Sequence, residues 1–317
     1  MSSRIAVCGS MAYDFISPYE KPFEQVLLPD KLSMLSVCFL VKEKVRRFGG
    51  TGGNIAYSLS LLEEPPALIG AVGYDFDGYK KHLTEKGVDL SHIQFVEDTP
   101  TASAVILTDP KGNQISVFHP GAMETEAPDV TDTFTEAKAV IIAPDDPNRM
   151  MKLVREAKKA ETPYFFDPGQ NLPVLTPEQL IEASSGAHAL FLNDYEFEMF
   201  KKKTHLDLVD ILERTGVLFI TRGEEGSEVY SREFGALSPI QVPVVEPQQM
   251  VDPTGCGDAY RAGVLKGYLD GLSLETCAKM GALMATYVVE QVGTQNHTPN
   301  KEHFYNRYEE AFGQALK

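Results

Sequence analysis

Short unbroken apolar runs alternate with longer amphipathic stretches along most of this chain. Ile5–Cys8, Ala67–Gly70, Ala139–Ile142, Tyr164–Phe166, Ala189–Leu192 and Val217–Ile220 have no polar alternation, which reads as strands buried on both faces. Helical periodicity follows most of them, from Asn54 to about Leu62, Tyr79 to Lys86, Asn148 to Lys159, Pro177 to Ser184 and Asp194 to Lys202. Two further helices, Asp258–Leu269 and Leu274–Glu290, flank the turn Asp270-Gly271. This rhythm predicts an α/β fold: a doubly wound, mainly parallel central sheet covered by helices on both faces.

The rhythm breaks between Phe15 and Phe48, where Leu32 to Val45 alternates loosely around Lys42, Glu43 and Lys44. Together with Thr101–Leu107 and Gln114–Phe118, joined by the turn Asp109–Asn113, this predicts a small antiparallel sheet inserted into the larger body. The expectation is one domain over residues 1–317 with an inserted β-sheet lid from about 13–48 and 100–119. The edges of such a sheet pair between subunits or stay free, so the chain is expected as a monomer or a lid-mediated homodimer.

Composition narrows the classes. The 317 residues suffice for one large domain, and 29 basic against 45 acidic residues leave a net charge of −16. That charge argues against nucleic acid or an anionic membrane as partner. No apolar run reaches transmembrane length and no signal pattern opens the chain, so a cytoplasmic protein is expected. Cys8, Cys38, Cys256 and Cys277 form no Cys-x-x-Cys pair, which suggests neither a disulfide framework nor a zinc site.

Candidate chemistry gathers in Val251–Gly263. Gly255, Cys256 and Gly257 stand before the run Asp258–Leu269, so their amides crowd at a helix N-terminus, where an anion binds. Asp258 then reads as a first-turn cap, or as a base taking a proton from a hydroxyl that attacks phosphate. Asp14, past the first strand, is a solvated loop charge or a ligand group at the sheet's carboxyl edge. Gly49-Gly50 serves a tight turn or a hinge, and Asn54 caps its helix or contacts a ligand. Asn193 and Glu196 make a capping box, or hold magnesium through water. Asp167 reads likewise as a loop cap or a magnesium residue, and Arg222 pairs with Glu224 or reaches a phosphate. His119 has no second metal ligand at useful spacing. A dinucleotide fingerprint Gly-x-Gly-x-x-Gly and a P-loop are both absent, which counts against a dehydrogenase.

Asp252-Pro253-Thr254-Gly255-Cys256-Gly257-Asp258 resembles the signature of the ribokinase-like (PfkB) carbohydrate kinases. Gly49-Gly50-Thr51-Gly52-Gly53-Asn54 and Asn193-Asp194-Tyr195-Glu196 match two further motifs of that family in order and spacing, and the likeness runs from Gly9 to about Asn296. The resemblance implies an ATP-dependent kinase that uses magnesium. It implies that Asp14, Gly50 and Asn54 hold the acceptor, that Asp258 is the base, and that Gly255, Cys256 and Gly257 form the anion hole. It places Asn193, Thr221, Gly223, Gly226 and Asn296 at the nucleotide, Glu196 with Asn193 at magnesium, and Asp252 with Thr254 at a monovalent cation, potassium. Gly73-Tyr74-Asp75 matches an architectural family motif.

Tyr13, Phe15 and Phe118, near the acceptor residues in sequence, offer rings for stacking on a base. The pattern is most similar to the nucleoside kinase branch. It implies phosphorylation of the primary (5′-type) hydroxyl of a ribonucleoside such as adenosine, inosine or guanosine. The alternative is a kinase for ribose, fructose or a related free sugar. An alternative of another class is an inactive nucleotide- or sugar-binding sensor. Cys256 stands where the family more often has alanine, and its thiol is expected to confer sensitivity to alkylation.

Overall fold

A computed structural model describes residues 5–27, 36–235 and 238–316. Strand β1 (Ile5–Cys8) leads through Gly9 into β2 (Ala12–Pro18), and β3 (Val45–Gly49) runs straight into helix α1 (Thr51–Leu61). Next come β4 (Ala67–Gly73), α2 (Asp77–Glu85), β5 (Ile93–Val96), the hairpin β6 (Ala102–Thr108) and β7 (Gln114–His119), and α3 (Thr131–Glu136). Alternation then sets in: β8 (Ala139–Ile142), α4 (Pro147–Lys159), β9 (Tyr164–Phe166), α5 (Pro177–Ser184), β10 (Ala189–Asn193), α6 (Asp194–Thr204) and α7 (Leu208–Arg214). Strands β11 (Val217–Thr221), β12 (Ser227–Ser231) and β13 (Ile240–Val242) precede α8 (Cys256–Leu269), α9 (Leu274–Val289) and α10 (Lys301–Phe312).

Nine strands form the central sheet in the order β13-β12-β11-β10-β9-β8-β1-β4-β5. It is parallel except where β12 and β13 turn back on β11. From β1 the chain builds outward to β4 and β5 on one side and to β8 and its successors on the other. The order therefore reverses between β1 and β8, and a crevice opens at their carboxyl ends.

Both faces are buried, as the unbroken apolar runs require. Ile5, Val7, Ile141, Phe165, Phe191 and Phe219 pack with residues of α1, α2, α8 and α9. Their strand neighbours Ala6, Cys8, Val140, Ile142, Phe166 and Leu218 pack with residues of α3 to α7 on the other face. At roughly 1.5–3 kcal/mol for each large side chain buried, these two layers hold the sheet between the helices.

The small sheet has the order β3-β2-β6-β7. It is mixed rather than antiparallel, because β2 pairs β6 in parallel between two antiparallel pairs. The connection from β2 to β6 crosses the large body through α1 and β4, and such a long crossover permits parallel pairing. Asp14 therefore lies within a strand of this sheet, not in a loop. Of the expected alternation from Leu32 to Val45, residues 28–35 lie outside the described residues, and strand begins only at Val45.

The two bodies join where α1 starts against the end of β1. Thr51 N donates to Ser10 Oγ and Gly53 N to the Ser10 carbonyl. A Cβ on Gly52 would lie 2.7 Å from the Gly9 carbonyl carbon, so only glycine admits this backbone approach. Gly52→Ala should cost about 1–3 kcal/mol through overpacking, more than offsetting alanine's better helix propensity. Denaturant unfolding measures this, and a change of stability near zero would show that the junction relaxes.

Candidate active site

Helix α8 begins two residues earlier than its sequence pattern suggests, on Gly255 in the left-handed region (φ +85°). Only glycine fits there twice over, since a Cβ would also meet Thr294 Cγ2 at 2.9 Å. Cys256 N donates to the Pro253 carbonyl at 3.2 Å. The amides of Gly255, Gly257 and Asp258 find no acceptor among the described residues. Three amides at this helix end are thus left open to an anion, while that of Cys256 is turned into its own loop.

Asp258 projects from this first turn toward α1. Asn54, buried in the first turns of α1, donates through Nδ2 to Asp258 Oδ2 at 2.7 Å. Burial pushes the Asp258 carboxyl up to about 7, against the pull of Arg261 and the Asn54 hydrogen bond, with Asp167 adding to the rise. A carboxylate that ionises near neutrality is suited to take a proton.

Gln295, which no sequence motif marks, fixes the orientation of Asn54. Its Nε2 donates to Asn54 Oδ1 at 2.9 Å and to the Tyr79 hydroxyl. Its Oε1 lies 3.1 Å from His82 Nε2. With Asn54 Oδ1 held by a donor, the Asn54 amide group must face Asp258. Tyr79 in turn donates to the Gly49 carbonyl at 2.8 Å, tying the chain of hydrogen bonds to the start of the Gly49-Gly50 turn.

Asp14 sits on the other side of that turn, its carboxylate against the Cα of Gly49, where any Cβ would collide with it. It accepts no hydrogen bond from the described residues, and burial pushes it up to about 6. Gly50 (φ +84°) caps α1, with space for a Cβ denied by the Ser10 carbonyl and Met11. Tyr13 offers no stacking surface, since it is 1 % exposed, donates to the Asp75 carbonyl and packs on Phe48 and Tyr79. Phe48 stacks instead on Tyr79 and on His82, each at 4.6 Å, a ring cluster that the sequence does not display. Phe118 on β7 is 55 % exposed.

Across the crevice, Asn193 and Glu196 form the capping box of α6: Glu196 N donates to Asn193 Oδ1 at 2.7 Å and Asn193 N to Glu196 Oε2 at 2.8 Å. Burial, then Asp167, raises the Glu196 carboxyl. The cap leaves Glu196 Oε1 for a metal-bound water, which fits magnesium held through water. No group of three or more His, Cys, Asp or Glu side chains with metal-holding geometry occurs among the described residues. Thr221 pairs in register with Asn193 at the carboxyl edge, and Gly223 and Gly226 turn the following loop with positive φ. Asn296 is exposed and donates to the Val292 carbonyl at 2.6 Å.

Two pairings differ from the sequence reading. Arg222 bonds Glu228 on β12 at 2.7 Å and not Glu224. Asp167 is clamped by Arg261 of α8, Nη2 to Oδ1 at 2.7 Å, with Nε against Oδ2, instead of merely capping its loop. Asp252 accepts from Thr254 N and Gly293 N, tying the anion loop to the 293–296 turn. Burial pushes its carboxyl up, but these bonds outweigh it and leave it below the ordinary range. Thr254 is exposed.

The arrangement has counterparts among known proteins. Residues 2–301 match the model of the pfkB family carbohydrate kinases. A nucleoside kinase of Methanocaldococcus jannaschii is 32 % identical over 308 residues, covering 96 % of this chain and 97 % of its own. A solved structure of the Burkholderia thailandensis nucleoside kinase in complex with inosine superposes with a TM-score of 0.85 at 33 % identity, covering 99 % of both chains. The same enzyme in complex with ADP-inosine gives 0.83 at 34 %, over 99 % of this chain and 97 % of that one.

The position of Cys256 revises its expected reactivity. Its thiol lies 3.5 Å from the Ala285 carbonyl, and burial, with Asp252 and Asp258 nearby, pushes it up to about 12. Only the thiolate alkylates at useful rates. Iodoacetamide at pH 7.5 should label exposed Cys38 and leave Cys256 unmodified, as peptide mass mapping would show.

Proposed function

The chain belongs to the pfkB family of carbohydrate kinases, phosphotransferases with an alcohol group as acceptor, and on that premise we propose that it moves the γ-phosphate of ATP to the primary 5′-type hydroxyl of a ribonucleoside such as adenosine, inosine or guanosine. The observation that carries this reading is the meeting of Asp258, raised to about 7 and held by Asn54, with unpaired amides at the start of α8. A base and an anion pocket on one turn of helix are what transfer of a phosphoryl group to an alcohol requires.

Asp14, dehydrated and without a donor of its own, accepts the ribose hydroxyls, beside the tight turn at Gly50. Asn54 orients the reacting hydroxyl toward Asp258. That oxygen forms the new bond to phosphorus, its proton passes to Asp258, and the bond from phosphorus to the bridging oxygen of ATP breaks, with the electron pair leaving on ADP. The amides of Gly255, Gly257 and Asp258 face the charge that spreads over the phosphoryl oxygens. Thr221, Gly223, Gly226 and Asn296 line the nucleotide side. Glu196 and Asn193 would hold magnesium through water, and the ion would supply charge neutralisation at the phosphates. Asp252 and Thr254 would hold a monovalent cation, potassium, beside this loop.

The small sheet serves as a lid that excludes water from the transfer. Its strand β7 is exposed along its length, free to close on the acceptor or on a second copy of the chain. A nucleoside is preferred to a free sugar because the similar proteins that are 32 to 34 % identical over nearly the whole chain carry that activity in their names, whereas the ribokinases of like coverage are 20 to 22 % identical.

ADP release from ATP and magnesium should rise with at least one of adenosine, inosine, guanosine or cytidine, and by far less with ribose or fructose. Stimulation by a free sugar alone would assign a sugar kinase, and thermal stabilisation by ligands without turnover would assign a sensor.

The raised carboxyl of Asp258 sets the pH dependence. A base works ionised, so kcat/KM should climb as pH rises through about 7 and level above it. Asp258→Asn should lower turnover by roughly 10²–10⁴ and abolish that limb while ATP affinity, measured calorimetrically, holds. Turnover near the parent's would remove Asp258 from the role of base.

A further inference from the structure

Helix α8 carries a buried arginine one turn inside the anion pocket. Arg261 is 7 % exposed. Helical side chains lean toward the N-terminus, so residue 261 covers residue 257. A Cβ on Gly257 would lie 2.8 Å from Arg261 Nη1, so the bare α-carbon of Gly257 is what admits the guanidinium to the first turn. Asp167, at the end of β9, occupies the Nε and Nη2 side of the fork, and the Phe191 ring lies 5.4 Å from the guanidinium carbon. Nη1, on the side of the unpaired Gly257 amide, donates to none of the described residues.

We propose that Arg261 is a catalytic residue whose Nη1 donates to an anionic oxygen of the transferring phosphoryl group, with Asp167 as the positioning residue that holds its fork. The proposal rests on the kinase reading above and adds a side-chain cation to an anion pocket otherwise made of amides.

Charge supports it. Asp258, Asp167 and Glu196 all act on Arg261, so one buried cation stands among three carboxylates. A structural pair would need only Asp167. The free prong instead lies against Gly257 in the first turn of α8, one residue from Asp258 and beside an unpaired amide, where the γ-phosphate must pass if Asp258 is to receive the acceptor's proton. A charge-assisted bond there is short and strong, and strongest as negative charge spreads over the phosphoryl oxygens in the transition state.

The test measures kcat, KM and transition-state-analogue binding in Arg261→Gln and Arg261→Lys, with the full chain and magnesium. Loss of one transition-state donor predicts a fall in kcat of roughly 10²-fold or more for R261Q, with the nucleoside KM within a few-fold. Calorimetry should give near-parental affinity for ADP and for the nucleoside separately, and lost affinity for ADP, nucleoside and aluminium fluoride together. A merely structural arginine would weaken all three alike. If R261Q fails to fold, R261K decides, since lysine keeps the charge without the clamped fork and should lose at least tenfold in kcat while still binding ADP. A folded variant with kcat within threefold of the parent, or analogue binding unchanged, overturns the proposal. Failure of the kinase reading itself appears separately, as a parent protein that turns over with no acceptor.

Discussion

One hydrogen bond, from Asn54 to Asp258, spans the junction of two helices that start at the same place from opposite ends of the chain. Its length tolerates little error, because advancing either helix by one residue moves a side chain by about 1.5 Å along the axis and 100° around it. The start of α1 is fixed by glycine backbones touching at Gly9 and Gly52, and that of α8 by Gly255 lying against Thr294. Farther along α8, Gly263 and Gly267 let α9 approach until Met280 and Cys277 fill the space where side chains would be. The core thus sets the register of the first turn of α8 against α1.

The sheet was legible because burial on both faces leaves an unmistakable pattern. Ile5–Cys8, Ala139–Ile142 and Tyr164–Phe166 appear in the structure with the bounds their apolar runs suggest, and Pro177–Ser184 is delimited by a proline and a capping box at Thr176 and Gln179. Strand β2 was not legible, since its half-buried middle carries Asp14 and breaks the apolar run. The short edge strands β5 and β13 and helices α3, α7 and α10 lacked a comparable signal, being brief or largely polar. Parallel pairing of β2 with β6 was beyond reach, because pairing direction depends on the path of the intervening chain.

The candidate site divides in the same way. Glycines and their neighbouring carboxylates stand out in sequence because backbone geometry dictates them locally. Gln295 and the Asp167–Arg261 pair do not, because their partners lie 241 and 94 positions away and only the fold brings them together. Arg222 illustrates the reverse error: a near neighbour in sequence, Glu224, loses to Glu228, which the antiparallel turn of β12 delivers to the same edge.

What the site gains in reactivity it loses in stability. Asp14 and Asp258 are raised to about 6 and about 7, against an ordinary aspartate near 3.9. Between those values the folded chain binds more protons than the unfolded one, so each contributes stability that is complete at low pH and lost as pH rises through its folded value. At neutral pH the crevice therefore holds carboxylates short of donors and amides short of acceptors. The two deficits are complementary to one class of ligand, an alcohol that donates to carboxylates beside a phosphate that accepts from amides. Burial drives Asp258 upward, the Arg261 charge and the Asn54 hydrogen bond draw it down and Asp167 pushes the other way, and the balance leaves its carboxyl near neutrality instead of quenched in an ion pair. A site built this way is stabilised by the reactants it serves, since each hydroxyl and phosphate oxygen that binds supplies a partner the fold withholds.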